Sequence, residues 1–114
     1  MAKFMILYCS NASASDVMAN ASPEEMQASM GEWIQWKENA SQSFKVDFGM
    51  PLQAVGRISA DGVSESDSKA SGYSIIEGGS KEGLMGVLAS HPHLKRQGNW
   101  IDVLEMLPMP GLDA

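Results

Sequence analysis

The sequence predicts an α+β fold in which two helices cover one face of a mainly antiparallel sheet. Segments with strand patterning and segments with helical periodicity alternate in the order strand, helix, two strands with a loop, strand, helix, strand. The chain has 114 residues, of which 44% are hydrophobic, which suffices for one domain over residues 1–114 with its own core. This layout is that of a ferredoxin-like sandwich of four or five strands.

The first predicted element is a strand over residues 3–9, an apolar run of strand length. The segment after it is rich in Ser, Asn and Ala, a composition typical of exposed turns. We therefore predict a loop that extends to about Ala21.

The first helix has the clearest local signal in the chain. Ser22 can cap it, Pro23 suits its first position, and Glu25 completes a capping box. Beyond this start, apolar residues recur at helical spacing, which predicts a helix over residues 23–39 with one apolar stripe. The stripe contains Met26, Met30, Trp33 and Ile34, and Trp36 widens it.

Alternating apolar and polar side chains predict a second strand over residues 44–48. A weaker strand over residues 53–59 leads to a turn at Asp61-Gly62. The polar segment 64–71 is expected to form a loop or an edge strand.

The chain ends with a strand, a short helix and a strand. Residues 72–77 form a compact strand, Ser80 caps the helix, and Pro92 ends it. Residues 100–107 form the last strand, which is apolar on both sides. Because the helices cover only one face of the sheet, a monomer would leave a large apolar patch in water. We expect a homodimer in which the open sheet faces pack together.

Charge and composition exclude several classes of function. Fourteen acidic residues stand against eight basic residues, so no basic face follows a nucleic-acid backbone. A single cysteine, Cys9, excludes an internal disulfide and a zinc ribbon, and it is expected to be a small buried residue. No stretch approaches the ~20 apolar residues of a membrane span, and the N-terminal apolar run is shorter than that of a secretory signal. We expect a cytoplasmic protein without a cofactor, bound neither to membranes nor to nucleic acid.

Several short segments together resemble a known family. They are residues 3–8, Ser22-Pro23-Glu24-Glu25-Met26 with Trp33 and Trp36, and residues 47–51, 72–77, 91–94 and 105–108. Their order and spacing are similar to those of the YCII-related (DGPF-type) family, and the resemblance covers nearly the whole chain. It implies a dimeric α+β barrel.

The chain departs from that family pattern at one place. Many members carry an Asp-Gly-Pro-Phe motif before the Gly-Tyr strand, and here the short segment 65–69 stands in its place. The resemblance implies a fold more than a reaction. A few relatives act on small chlorinated lactones, and a His–Asp pair is a candidate site in others.

His91 is the first candidate for chemistry. A nearby helix C-terminus favours the protonated imidazole, whereas burial beside Leu84 and Leu88 favours the neutral ring. Such opposing effects can hold a histidine near neutrality, where acid–base catalysis is most efficient. The alternative is a structural histidine that bonds a backbone carbonyl.

Asp47 is the natural partner of that histidine. It lies opposite the apolar face of its strand, either in solvent or in the dimer cleft, where a carboxylate needs a cation or a donor. Lys45, Arg57 and His91 are possible partners. The alternative is that Asp47 caps the turn that follows it.

Other residues can line an apolar pocket for a small organic ligand, although aromatic residues at such spacings are also typical of a core. No metal is expected, because His91-Pro92-His93 supplies only two ligands and the proline removes helical alignment. The candidate ligand-binding residues are Tyr8, Trp36, Tyr73, Arg57 and His93.

Two functions follow from these candidates. The first is a small enzyme with an apolar cleft, of lyase, isomerase or dehalogenase type, in which His91 moves a proton and Asp47 orients it. The second is a non-catalytic ligand-binding or accessory dimer that uses the same cleft without a base.

Overall fold

The computed structural model describes residues 2–111, and its main feature is an antiparallel sheet of four strands. In chain order the elements are β1 (Lys3–Ser10), α1 (Ala14–Asn20), α2 (Pro23–Ala40), β2 (Lys45–Asp47), β3 (Arg57–Ser59), β4 (Gly62–Ser64), β5 (Ala70–Glu77), α3 (Lys81–Leu88), a 3-10 turn (Pro92–Lys95) and β6 (Asn99–Glu105). The strand order is β2-β5-β1-β6, and β3 pairs with β4 in a separate two-stranded ribbon. The predicted α+β class with a mainly antiparallel sheet is therefore confirmed.

The two central strands, β1 and β5, form the base of the hydrophobic core. Side chains of β1 alternate between the two faces of the sheet, and the register places Phe4 opposite Ile76 and Ile6 opposite Ser74. All four are buried, and α2 and α3 pack over them. The core cluster contains Phe4, Ile6, Tyr8, Trp36, Ala40, Phe44, Ile76, Leu84 and Leu88.

The capping box of α2 forms as the sequence predicts. The Ser22 hydroxyl accepts a hydrogen bond from the Glu25 backbone N–H at 3.1 Å, and the Glu25 carboxylate accepts one from the Ser22 N–H at 3.2 Å. These bonds satisfy two of the backbone donors that every helix start leaves free. The helix extends from Pro23 to Ala40.

The buried face of α2 differs from the apolar stripe that the spacing indicates. Met30 is 58% exposed, and Met26 and Ile34 are exposed too, whereas Trp36 and Ala40 are buried. Indole rings cover more sheet surface than methionine side chains, so the helix turns its tryptophans toward β1. The methionines consequently face away from the sheet.

The predicted loop between residue 10 and Ala21 is wrong, because it contains α1 (Ala14–Asn20). Ser13 begins this helix: its hydroxyl accepts a hydrogen bond from the Asp16 N–H at 3.1 Å. None of the residues of α1 is buried. The helix is therefore held by local capping and lacks the apolar periodicity that would have predicted it.

The region between β2 and β5 is less regular than predicted. The weaker strand predicted over residues 53–59 forms only from Arg57. Of the predicted loop or edge 64–71, Ser64 joins β4, and Ala70 and Ser71 begin β5. The turn is where it was predicted, with Gly62 at a φ of +120°. Each residue from 53 to 65 is exposed.

Helix α3 is the second of the two helices that pack over the core face of the sheet. The Ser80 hydroxyl caps it by accepting a hydrogen bond from the Gly83 N–H at 3.0 Å, as predicted. The helix ends at Leu88, so Pro92 does not end it but begins the 3-10 turn. The last strand, β6, ends at Glu105, two residues before its predicted end.

The second face of the sheet carries apolar side chains with two carboxylates beside them: Asp102 lies opposite Leu7, and Asp47 lies opposite Ile75. Register places Met5 between Ile75 and Leu104, and Leu7 beside Tyr73. These side chains lie on the side of the sheet opposite α2 and α3, and none belongs to the core cluster. We define the open face as Met5, Leu7, Tyr73, Ile75, Trp100 and Leu104. Within residues 2–111 no helix has the length and apolar character required to cross a membrane.

Candidate functional site

Two histidines and three aromatic residues form a cluster beneath the helix-covered face of the sheet. The ring centroid of His91 lies 4.4 Å from that of Trp36, 4.5 Å from that of Trp33 and 4.9 Å from that of Tyr8. The ring of His93 lies 5.4 Å from that of Tyr8. We call these five residues the histidine–aromatic cluster. His91 is at its centre and is only 2% exposed.

The hydrogen bonds of His91 define its tautomer. His91 precedes the 3-10 turn as its N-cap, and its Nδ1 accepts a hydrogen bond from the His93 backbone N–H at 2.9 Å. A ring nitrogen that accepts carries no proton, so the proton of the neutral ring is on Nε2. This Nε2 is buried and has no hydrogen-bond partner. It lies among aromatic rings, whose faces are weak acceptors.

Burial controls the protonation of His91. It lowers the pKa of the imidazole from 6.5 to about 3, and His93 lowers that pKa further as a second cause. The ring is therefore neutral at pH 7. The balance near neutrality that the sequence indicates does not occur, because His91 caps the following turn instead of occupying the last turn of α3.

His93 is held by backbone groups on both sides. Its Nε2 donates to the Cys9 carbonyl at 2.8 Å, and the Asn99 side-chain N–H donates to the His93 carbonyl at 3.1 Å. Burial lowers the pKa of this histidine, while its hydrogen bonds to the backbone of Cys9 and Trp100 oppose that effect. These contacts tie the 3-10 turn to β1 and β6. Nowhere in the described ranges do three His, Cys, Asp or Glu residues group as ligands for a metal ion.

Tyr8 is oriented by a short chain of hydrogen bonds. Ser74 donates its hydroxyl proton to the Phe48 carbonyl at 2.9 Å, so its oxygen accepts the proton of the Tyr8 phenol at 2.8 Å. Burial raises the pKa of Tyr8, and the phenol remains protonated. The chain of bonds therefore positions the ring of Tyr8 against His91.

Replacing Tyr8 by phenylalanine is expected to lower the free energy of unfolding by about 1 kcal/mol, because one buried hydrogen bond is lost. Urea denaturation measures this change. The matched control is Tyr73→Phe on the open face, where the same hydroxyl is removed from a half-buried site, with an expected change below about 0.5 kcal/mol. Equal losses in the two variants would contradict the role of the Tyr8–Ser74 bond.

Asp47 lies away from this cluster. Its carboxylate accepts a hydrogen bond from the Gly49 N–H at 3.4 Å, which is the turn-capping alternative. Asp47 is paired in register with Ile75, so it projects toward the open face, whereas His91 packs beneath the covered face. The two candidate catalytic residues are consequently on opposite sides of the sheet. In the described part of the chain no hydrogen bond or ion pair links Asp47 to Lys45, Arg57 or His91.

The five candidate ligand-binding residues do not meet in one cavity. Tyr8, His93 and Trp36 belong to the histidine–aromatic cluster, and the Trp36 indole N–H donates to the Val87 carbonyl at 3.2 Å. Tyr73 lies on the open face, where its ring leaves no room for a side chain at Gly49. In the exposed ribbon, Arg57 forms an ion pair with Asp67.

The cavities of the described residues are small. One of about 110 Å³ lies beside Ser10 and Ser71, and one of about 170 Å³ lies between α2 and α3 beside Trp36. Neither is lined by His91 or Asp47. Drug-sized ligands occupy pockets of roughly 300–1,000 Å³, so neither of these two cavities alone is large enough to enclose one.

Cys9 is a buried thiol at the end of β1. Its Sγ lies 3.7 Å from the Asp102 carboxylate, and burial and this carboxylate both raise the pKa of the thiol. A thiol that stays protonated is a poor nucleophile. The structure therefore agrees with the prediction of a small buried residue.

In comparisons with known proteins, no family model matches the chain, and the search of curated proteins finds no match.

Proposed function

We propose that the protein is a non-catalytic homodimer that assembles through its open face and serves as a ligand-binding or accessory protein. One observation carries the proposal: the candidate base His91 is sealed beneath one face of the sheet, while the apolar surface lies on the other. A ligand would then bind at the dimer cleft and not at a histidine–aspartate pair.

Strand order supports the ferredoxin-like type within this proposal. When only the strands of the main sheet are counted, their spatial order is second, third, first, fourth, and all neighbours are antiparallel. Helix α2 connects the first two of these strands, and α3 connects the last two. This is a β-α-β-β-α-β unit, with the β3–β4 ribbon inserted between its second and third strands. Membership in the YCII-related family remains part of the proposal.

The open face supports the dimer. Its six side chains are apolar and lie on three neighbouring strands, with the Asp102 carboxylate among them, opposite Leu7. Contiguous apolar surface of this kind marks an interface, and a two-fold axis lets one patch cover its own copy.

Leu7→Glu is expected to convert the dimer into a monomer, because it places a second carboxylate on the open face, directly opposite Asp102. Sedimentation equilibrium would show twice the mass of one chain for the native protein and the mass of one chain for the variant. Met30→Glu, at an exposed site on α2, is the matched control and should remain dimeric. A native protein that sediments as a single chain at micromolar concentration would overturn the proposed dimer.

A second candidate function rests on the unpartnered Nε2 of His91. A buried donor without an acceptor costs free energy, and an acceptor on a bound substrate would satisfy it. This favours the acid–base enzyme, provided that the cluster opens. A thermal-shift screen with small lactones, phenols and carboxylic acids separates the two functions. Stabilisation that disappears in His91→Asn supports the enzyme, and stabilisation that disappears only in Leu7→Glu supports the binding dimer.

A further inference from the structure

The ribbon of β3 and β4 receives little support from its own chain. Its two large apolar residues are highly exposed: Ile58 is 83% and Val63 81% exposed, and Val55, which precedes the ribbon, is 95% exposed. An isolated two-stranded hairpin is marginally stable in water. The ribbon therefore requires a surface to pack on.

The ribbon has one apolar and one polar face. Ile58 pairs directly with Val63, so their side chains lie on the same face. The neighbouring pairs, Arg57 with Ser64 and Ser59 with Gly62, lie on the other face. We call residues 57–64 the arm. At its base, Arg57 forms an ion pair with Asp67, in the segment that leads to β5. A bridge between Pro51 and Gly72 ties the segment before the arm to β5.

The open face alone is small for a stable interface. The four strands have eight, three, eight and seven residues; at about 3.3 Å per residue and about 4.8 Å between strands, they give about 410 Å² of projected area. Each partner of a stable complex buries about 800 Å². The proposed dimer thus needs contact area beyond the sheet. The arm is joined through residues 65–69 to β5, which lines the open face.

We propose that the arm packs the apolar face of Ile58 and Val63 on a second copy of this chain, at the rim of its sheet. This proposal rests on the proposed homodimer. Charge favours this contact: Asp61 lies at the turn of the arm and Glu65 follows the arm directly, while the arm's own cation, Arg57, is paired with Asp67. The register places Lys3 and Lys45 on either side of Glu77 at one end of the open face. Pairing these acids with the lysines of the partner subunit offsets the repulsion between two chains of net charge −6.

The double variant Ile58→Glu/Val63→Glu tests the arm, because both positions are exposed and the single chain should fold unchanged. Loss of two apolar contacts is expected to weaken the dimer at least about hundredfold in sedimentation equilibrium. Ser59→Glu, on the polar face of the same arm, is the matched control and should change the dissociation constant by less than about threefold.

Amide hydrogen exchange gives a second readout. Residues 57–64 should become protected as protein concentration rises through the dissociation constant. A dimer that survives the double variant but dissociates with Leu7→Glu would overturn the arm and leave the sheet-to-sheet dimer standing. A dimer that dissociates with the double variant but survives Leu7→Glu would overturn the sheet pairing and retain the arm. A native protein that stays monomeric would overturn both.

Discussion

Replacing Trp36 by alanine is expected to lower the free energy of unfolding by about 3–5 kcal/mol. Trp36 is buried, packs on His91 and belongs to the core cluster, and its indole N–H is bonded to the Val87 carbonyl. Truncation therefore opens a cavity beneath α2 and removes one of the three aromatic rings that pack on His91. Urea denaturation measures the loss.

The matched control for this prediction is Met30→Ala on the same helix. Met30 is exposed, so the variant should change the free energy of unfolding by no more than about 0.5 kcal/mol. This pair also tests which face of α2 is buried. Similar losses in both variants would contradict the orientation of the helix.

The second large effect is a loss of stability in acid that depends on His91. The folded state holds the pKa of this histidine at about 3, whereas the unfolded chain titrates near 6.5. Below pH 6.5 the unfolded state therefore binds more protons than the folded state, and the free energy of unfolding falls as the pH falls. The loss attributable to His91 is on the order of 3 kcal/mol at about pH 4, and it is complete near pH 3.

His91→Asn isolates this contribution. Asparagine can accept the His93 N–H in place of Nδ1, so it retains the cap of the 3-10 turn while removing the titrating ring. The variant should be less stable than the native protein at about pH 7.5, because the ring leaves a cavity. The difference in free energy of unfolding between the native protein and the variant should narrow as the pH falls from 6.5 toward 4. If the free energies of unfolding of the native protein and the variant change in parallel over this pH range, His91 has the same pKa in the folded and unfolded states, which would contradict the prediction.

Local signals account for the elements that the sequence predicts well. The capping box at Ser22 and the cap at Ser80 mark helix starts. Residues 3–9 are an apolar run, and residues 72–77 are a compact segment closed by Gly78-Gly79. Such signals depend only on residues that are close together in the sequence, so they do not require knowledge of the tertiary contacts. The short cap of α1 at Ser13 was the same kind of signal, hidden in a polar segment.

The orientation of α2 depends on contacts that no spacing encodes. Met26, Met30 and Ile34 satisfy helical periodicity as well as Trp33, Trp36 and Ala40 do, and packing against Tyr8 selects the second set. The sequence places apolar residues on a helix surface. Packing against the sheet determines which of these two sets of side chains on α2 becomes buried.

The candidate site was also predicted only in part from the sequence. The alternation around Asp47 correctly places its side chain opposite the apolar face of its strand, and the spacing of Leu84, Leu88 and His91 correctly indicates a buried histidine. Taken together, these two patterns place Asp47 and His91 on opposite sides of the sheet. Ser74, which orients Tyr8, was missed; its signal is a polar residue at a buried position of β5.

The nitrogen NMR spectrum of the His91 ring tests the central claim most directly, namely that this histidine is a sealed, neutral part of the core. We expect a single neutral tautomer with its proton on Nε2, whose ring shifts stay constant from about pH 7.5 to about pH 4.5. A titration with a midpoint between about pH 6 and about pH 7 would contradict this account. It would identify His91 as an accessible acid–base group and favour the enzyme over the binding dimer.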